Sequence, residues 1–329
     1  MPMPDSLSQA LERLLADADA DALKRDARAI SERYRARVGE GARLLTTEPE
    51  AAAYAASRMP ATYAAVCAAV ALSLPCAPFS PESLLDVGAG PGTASWAITE
   101  AFKSRKDGVT RVTCLEREAA MRSVGQALMQ GAGAPLCDAR WLAADLTAPS
   151  PLPPADLVCA AYVLGELAEA DRDALLLRLW AASQDLLLLI EPGTPAGFSH
   201  IQRARALLLP QGAHIAAPCP GGVVLCPLSA GDWCHFTVRV QRTRLHRALK
   251  QGAAPFEDEK FSFLALCRRP PAPAEARILR HPNVHSGHIE LSLCTVQGLS
   301  RRVVTKKDKP AFRAARDAKA GSPFEPTSE

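Results

Sequence analysis

Leu84-Leu85-Asp86-Val87-Gly88-Ala89-Gly90-Pro91-Gly92-Thr93 carries an apolar strand straight into a glycine-rich turn, and a helix follows. Glycines let the backbone turn sharply and lie close against a ligand. The helix that opens after such a turn presents free N–H groups toward it. A bare Gly-x-Gly arises often by chance, but a strand before it and a helix after it give the pattern meaning.

Outward from this turn, strand-like and helix-like segments alternate between Ser83 and about Leu209. The short apolar runs are Leu84–Val87, Val112–Leu115, Trp141–Ala144, Leu157–Ala161 and Leu186–Ile190. That alternation predicts α/β: a doubly wound, Rossmann-like core over residues 81–210. Before it, Ser6–Val38 and Glu48–Leu74 predict an N-terminal helical region, residues 1–80. After it, Pro210–Leu228 reads as a loop and His235–Lys250 as a helix. Strands are expected at Lys260–Cys267, Ala276–Arg280, His288–Thr295 and Ser300–Thr305, the last two joined by a turn at Val296–Leu299. Residues 211–320 would thus form a cysteine-rich, basic C-terminal β extension with the remaining core strands, and 321–329 a disordered tail.

Dinucleotide sites want a later third glycine, in Gly-x-Gly-x-x-Gly. Here Gly88, Gly90 and Gly92 crowd together behind Asp86. This arrangement resembles the first motif of class I methyltransferases, which implies S-adenosylmethionine as cofactor, with Asp86 orienting its methionine end. Candidate contacts are Asp86, Gly88, Ala89, Gly90, Gly92 and Thr93. Glu116, ending the second strand, is placed to accept the two ribose hydroxyls; otherwise it is a surface acid in Glu116-Arg117-Glu118. Asp145 and Leu146, after the third strand, are candidates for the adenine edge, with a helix cap as the plain alternative for Asp145. The fourth strand leads into Ala161–Leu167, where a substrate would sit. No Asn/Asp-Pro-Pro-aromatic motif stands there, and no cysteine nucleophile or catalytic base stands out. Methyl transfer needs little beyond positioning, so the catalytic residues stay unassigned and activity stays open.

The net charge of +3 hides an asymmetry: Arg239 to Lys319 holds 18 Lys/Arg against 7 Asp/Glu. Such a stretch either meets a polyanion such as RNA or is a solvated basic face. Met1–Asp21 is acidic and has neither the basic and apolar regions of a secretory signal nor an Arg-rich transit character. Ala61–Leu74 is too short to span a bilayer. The expectation is a cytoplasmic, monomeric protein without a membrane partner. Its ten cysteines are then not a disulfide framework.

Three of those cysteines fall within sixteen residues of a Pro/Gly loop, at Cys219-Pro220, Cys226-Pro227 and Cys234-His235. Tight Cys/Pro loops bring thiolates round a metal centre. A fourth ligand would come from His214, His235, Cys267 or Cys294. The spacing matches neither a zinc ribbon nor a ferredoxin run, so zinc and iron–sulfur both stay open. Cys67, Cys114, Cys137, Cys159 and Cys267 fit buried structural thiols.

Several stretches together resemble the bacterial branch of the methyltransferase-like family associated with the mitochondrial small ribosomal subunit. They are Arg58–Ala65, Leu84–Thr93, Glu191–Pro195, Cys219-Pro220 through Cys226-Pro227-Leu228, Asp232–Phe236 and Phe256–Ser262. The resemblance runs from about Leu44 to Lys319. It implies assistance in small-subunit assembly, binding of its rRNA, and a methyltransferase fold. It also implies a 4Fe–4S cluster on Cys219, Cys226, Cys234 and, in the late hairpin, Cys294. The chain departs from the family at Gly221, where a His is usual, in the longer loop Gly221–Leu225, and at Ala320-Gly321-Ser322, which replaces Trp-Gly-Asp. Arg301, Arg302, Lys306, Lys307, Lys309, Arg313 and Arg316 become candidates for phosphate contacts, extended by Arg239, Arg242 and Arg247 on the expected helix. The competing readings are an active rRNA methyltransferase and a small-molecule or protein methyltransferase with a structural zinc site.

Overall fold

The computed structural model describes residues 2–35, 45–76, 79–103, 108–222, 225–228, 231–242, 246–247 and 254–324. Among these, three helices lead the chain: α1 (Asp5–Leu14), α2 (Ala20–Arg35) and α3 (Glu48–Ser73). The N-terminus of α3 carries a capping box. Thr47 Oγ1 accepts the Glu50 N–H, and the Glu50 carboxylate accepts from Thr46 N–H and the Thr47 hydroxyl. By length and composition α3 could cross a bilayer, yet 72% of its most apolar window is buried inside the protein, as in a core helix.

The central sheet contains β1 (Ser83–Val87), β2 (Arg111–Glu116), β3 (Arg140–Ala143), β4 (Ala155–Ala161), β5 (Ser183–Pro192), β6 (His214–Ala217), β7 (Phe236–Gln241) and β8 (Phe256–Cys267). Its order is β3-β2-β1-β4-β5-β8-β6. β1 to β5 run parallel, and β8 enters antiparallel beside β5. The far edge of β8 is shared: β7 pairs with its first half and β6 with its end. The helices α4 (Thr93–Phe102), α5 (Ala119–Gln130), α6 (Glu169–Ala182) and α7 (Pro195–Leu208) make the crossovers.

Leu186–Ile190 shows why the sheet is two-sided. Leu186, Leu188 and Ile190 bury into the core under α3, while Leu187 and Leu189 bury into the core under α6 and α7. A strand covered on both faces reads as one continuous apolar run. Each fully buried leucine contributes roughly 1.5–3 kcal/mol.

A second sheet follows, with β9 (Ala276–Ile278), β10 (Asn283–Val284), β11 (His288–Thr295), β12 (Gly298–Thr305) and β13 (Pro323–Phe324). β11 and β12 form an antiparallel hairpin. The helix α8 (Lys309–Asp317) packs on this sheet through Ala311 and Ala315.

Three expectations are corrected. The first part of the stretch expected to be helical from His235 instead forms β7: Phe236 and Val238 pack into the core under α3 and Val240 is buried, a period-2 pattern, while His246–Arg247 farther on is helical. Residues 243–245 and 248–250 of that stretch lie outside the described residues. Within the expected loop Pro210–Leu228, His214–Ala217 is a buried strand. The tail is not disordered from Gly321: Gly321 is buried, and Pro323–Phe324 pairs with β9. Phe324 sits 6% exposed in the second core, which repays ordering the segment. Residues 325–329 lie outside the described residues.

Candidate functional site

The glycine turn leaves β1 at the carboxyl edge of the sheet. Gly88, Gly90 and Gly92 all have left-handed φ, at 68°, 55° and 81°. A Cβ on Gly88 would lie 2.5 Å from Val163 Cγ2, so the loop is seated against the β4 exit. A Cβ on Gly90 would meet nothing within 4 Å. Gly90 is therefore the point where the turn faces open space.

Two acids frame the turn. Asp86 is 1% exposed, and its carboxylate accepts both the Ser95 N–H (2.9 Å) and hydroxyl (2.8 Å). Burial pushes its pKa up to about 6; the Ser95 bonds oppose that and the nearby Glu116 charge adds to it. Glu116 accepts the Gly90 N–H (2.9 Å) and the Glu118 N–H (2.8 Å).

A cavity opens against the turn, lined by Asp86, Gly88, Ala89, Gly90, Pro91, Thr93 and Ala94. Its opposite walls are Tyr54 and Thr62 of α3 and Ala161-Tyr162 at the β4 exit. Tyr162 has φ 60°, an uncommon conformation for a non-glycine residue and one that concentrates at functional sites. Its hydroxyl donates to the Glu259 carboxylate of β8 at 3.0 Å. Gly92 caps α4 behind the cavity and does not line it. Leu146 packs beneath Gly88. Asp145 is exposed and accepts the Thr147 N–H and hydroxyl, which hold its carboxyl below its ordinary range. It is thus an Asx-type turn residue rather than a helix cap.

The wall from α3, and the Glu259 of β8 that holds Tyr162, were not singled out from sequence as cofactor contacts. Only sheet closure brings residues 54–62 and 259 beside residues 86–94. A related pair sits next along the edge: buried Glu191 bonds His200 Nδ1 (3.0 Å) and accepts the Leu164 N–H (3.0 Å).

Against Ser262, Phe263 and Leu264 of β8, Cys219, Cys226, Cys234 and Cys294 line one largely apolar pocket. Cys267, His214 and His235 do not line it; Cys267 instead donates to the His214 carbonyl. Burial, then the neighbouring thiols Cys219, Cys226 and Cys294, push the Cys234 thiol far up; the same causes push Cys294 to about 12. Thiols gathered in one pocket suit a cationic metal group, since the thiolate is the ligand and metal binding releases its proton. Among the described residues, no three of these sulfurs lie within 4.8 Å of one another; the group that does is His285, His288 and Glu290. A tetrahedral zinc site with 2.3 Å bonds would hold its sulfurs about 3.8 Å apart. Four thiols in one pocket are a donor set that suits either zinc or an iron–sulfur cluster.

Arg277 fastens this pocket to the rest of the protein. It is 1% exposed, pairs in register with Cys294, and donates to the carbonyls of Pro218 and Gly321, each at 2.9 Å. Ser262 of β8 donates to the Cys234 carbonyl at 2.7 Å, and Trp233 Nε1 to the Gly193 carbonyl at 2.9 Å.

Arg301, Lys306, Lys307, Lys309, Arg313 and Arg316 are exposed on β12, the turn after it and α8, and Arg302 is half-buried. Arg239 and Arg242 lie on and just after β7, not on a helix; Arg239 pairs with Asp258 and Arg242 with Glu257. Each of these cations thus has an acid partner, as Arg316 has in Asp317. Arg247 is exposed.

The sheet order and the glycine turn after β1 define a Rossmann-like α/β protein. Residues 48–325 match the family described as mitochondrial small ribosomal subunit Rsm22, and the chain belongs to that family. It is 28% identical over 256 residues to the human protein named ribosome assembly protein METTL17, mitochondrial, covering 72% of this chain and 54% of that one. It is 27% identical over 341 aligned positions to Rsm22-cox11 tandem protein 2, mitochondrial, of Schizosaccharomyces pombe, covering 84% of this chain and 43% of that one. The chain thus spans about half the length of the curated relatives it matches. A similar solved structure is the magnesium protoporphyrin IX methyltransferase of Synechocystis with bound SAM, at 16% identity and a TM-score of 0.40, covering 73% of this chain and 91% of that one. The expected cytoplasmic location is overturned by these names: the family and both relatives are described as mitochondrial.

Proposed function

We propose that this chain is an S-adenosylmethionine-binding, methyltransferase-like assembly factor of the small ribosomal subunit that carries a 4Fe–4S cluster and binds rRNA. The observation that carries it is the presence of two separate sites in one chain. One is the open cavity at Gly90 between Asp86 and Glu116; the other is the pocket of four thiols. The assembly role is taken from the family and from the name of the human relative.

Gly88 to Thr93 would hold the methionine end of the cofactor, Glu116 its ribose, and Asp145 with Leu146 the adenine edge. Bound there, the cofactor supplies an electrophilic methyl group; the chain's own part is to orient it and to exclude water on the α3 side. Cys219, Cys226, Cys234 and Cys294 would hold the cluster. The bonds of Arg277 and Ser262 around that pocket make metal binding a contribution to folding of the second sheet. Exposed cations on β12 and α8 would then meet RNA phosphates.

Anaerobic purification tests the metal reading. A broad brown absorbance with about four iron per chain is expected, lost when any of the four cysteines becomes Ala and kept in Cys137→Ser. Colourless, zinc-loaded protein would overturn the iron assignment. Incubation of purified small subunits with methyl-labelled cofactor separates roles. Label in RNA marks an active methyltransferase, and salt-sensitive binding without label marks an assembly factor.

A further inference from the structure

Tyr54, Arg58 and Thr62 stand at i, i+4 and i+8 on α3, one stripe of the helix. Tyr54 and Thr62 line the cavity against the glycine turn; Arg58 lies between them on the helix, beside the lining rather than part of it. Tyr162, another wall of the cavity, is an electrostatic neighbour of Arg58, as is Glu259. Among the described residues the Arg58 guanidinium donates no hydrogen bond and forms no close ion pair. The Glu259 carboxylate nearby accepts from the Tyr162 hydroxyl instead. Arg58 is half-buried, so its N–H donors are open to solvent or to a ligand group that reaches them.

The cavity's own lining explains what kind of ligand group is missing. It contains one acid, Asp86, and no Lys, Arg or His. Glu116, at the turn, adds a second negative charge and occupies the Gly90 N–H. Neither acid can receive an anionic group. A ligand that is cationic at its centre and carries one carboxylate therefore needs a cation on the α3 side, and a guanidinium matches a carboxylate with two parallel bonds.

We propose that Arg58 is the carboxylate anchor of this cavity, receiving the amino-acid carboxylate of S-adenosylmethionine at the α3 wall. The proposal rests on the reading that the cavity takes that cofactor. It makes α3, far upstream of the glycine turn, part of the cofactor site. It also assigns the Arg58-to-Thr62 stretch a binding role beyond core packing.

Titration calorimetry of the full chain with S-adenosylmethionine and with its decarboxylated analogue tests this directly. Arg58→Met should weaken the parent cofactor about 10–100-fold, the range of a lost charged bond. It should change binding of the decarboxylated analogue by less than about threefold, because that ligand has nothing for Arg58 to hold. Arg58→Lys should recover part of the loss. Equal weakening of both ligands would show that Arg58 only positions Glu259 and Tyr162, and would overturn the proposal; so would no weakening of either. If Arg58→Met fails to fold, the wild type's own preference decides, since equal affinity for the two ligands overturns the anchor. Wild-type protein that binds neither ligand would bring down the cofactor reading itself, an outcome distinct from these.

Discussion

The Glu116 carboxylate accepts the Gly90 N–H at 2.9 Å, bridging the end of β2 to the tip of the glycine turn. With Gly88 and Ala89 both donating to the Leu115 carbonyl at 2.9 Å, the turn is tied to β2 before any ligand arrives. A cofactor ribose would meet an acceptor already held in place. Glu116→Ala should weaken S-adenosylmethionine binding about 10–100-fold in calorimetry. Unchanged affinity would remove Glu116 from the ribose role.

The three glycines of the turn should separate in mutation. Gly88→Ala puts a Cβ 2.5 Å from Val163, a side chain with little freedom to move. It should lower stability by about 2–4 kcal/mol through left-handed strain and overpacking. Gly90→Ala meets open space and should lose only about 1–2 kcal/mol, yet lose the cofactor. Chemical denaturation beside ligand titration reads both. Equal destabilisation by the two would mean that Gly90 does not face the ligand.

Asp86 gives a pH signature. Burial raises its carboxyl from 3.8 to about 6. Between those values the unfolded chain has released a proton that the folded chain still holds. This group therefore stabilises the fold at low pH, and that contribution is lost as pH rises through the window. Asp86→Asn should match wild type near pH 4 and exceed its stability by roughly 1–3 kcal/mol at pH 7. A wild-type-minus-variant difference that stays flat from pH 4 to 7 would contradict the buried, raised carboxyl.

Arg277 should be the most costly residue near the thiol pocket. Arg277→Met strands the Pro218 and Gly321 carbonyls and should destabilise by about 3 kcal/mol or more. Because Pro218 precedes Cys219 and Arg277 pairs with Cys294, bound metal should fall in parallel. Urea melts with metal analysis of the same samples check this. A stable variant with full metal content would show that the pocket is held by other contacts.

The exposed cations of β12, the turn after it and α8 make a salt-dependence prediction. Lys306→Ala with Lys307→Ala should weaken binding to small-subunit RNA and lower the slope of log affinity against log salt by about 1.4–1.8. The same change at Arg239 and Arg242, already paired with Asp258 and Glu257, should leave that slope nearly intact. Equal slopes in all variants would move the RNA contact elsewhere.

By itself the sequence determined the parallel core and its loop, because both are local. Leu84–Thr93 needs only its own apolar run and glycines to declare strand, turn and helix, and Leu186–Ile190 declares a strand buried on both faces. Tertiary structure alone decided what faces what. Phe236–Gln241 became a strand because the free edge of β8 was there to pair it, although the residues beyond favour helix. Gly321–Phe324 is ordered because β9 and a second core receive it. Arg58, Tyr162 and Glu259 lie far apart in the chain and meet only when β8 inserts beside β5, so no spacing along the chain could announce them. Cys294 joins the loop cysteines for the same reason: a hairpin strand, registered against Arg277, carries its sulfur back to the pocket.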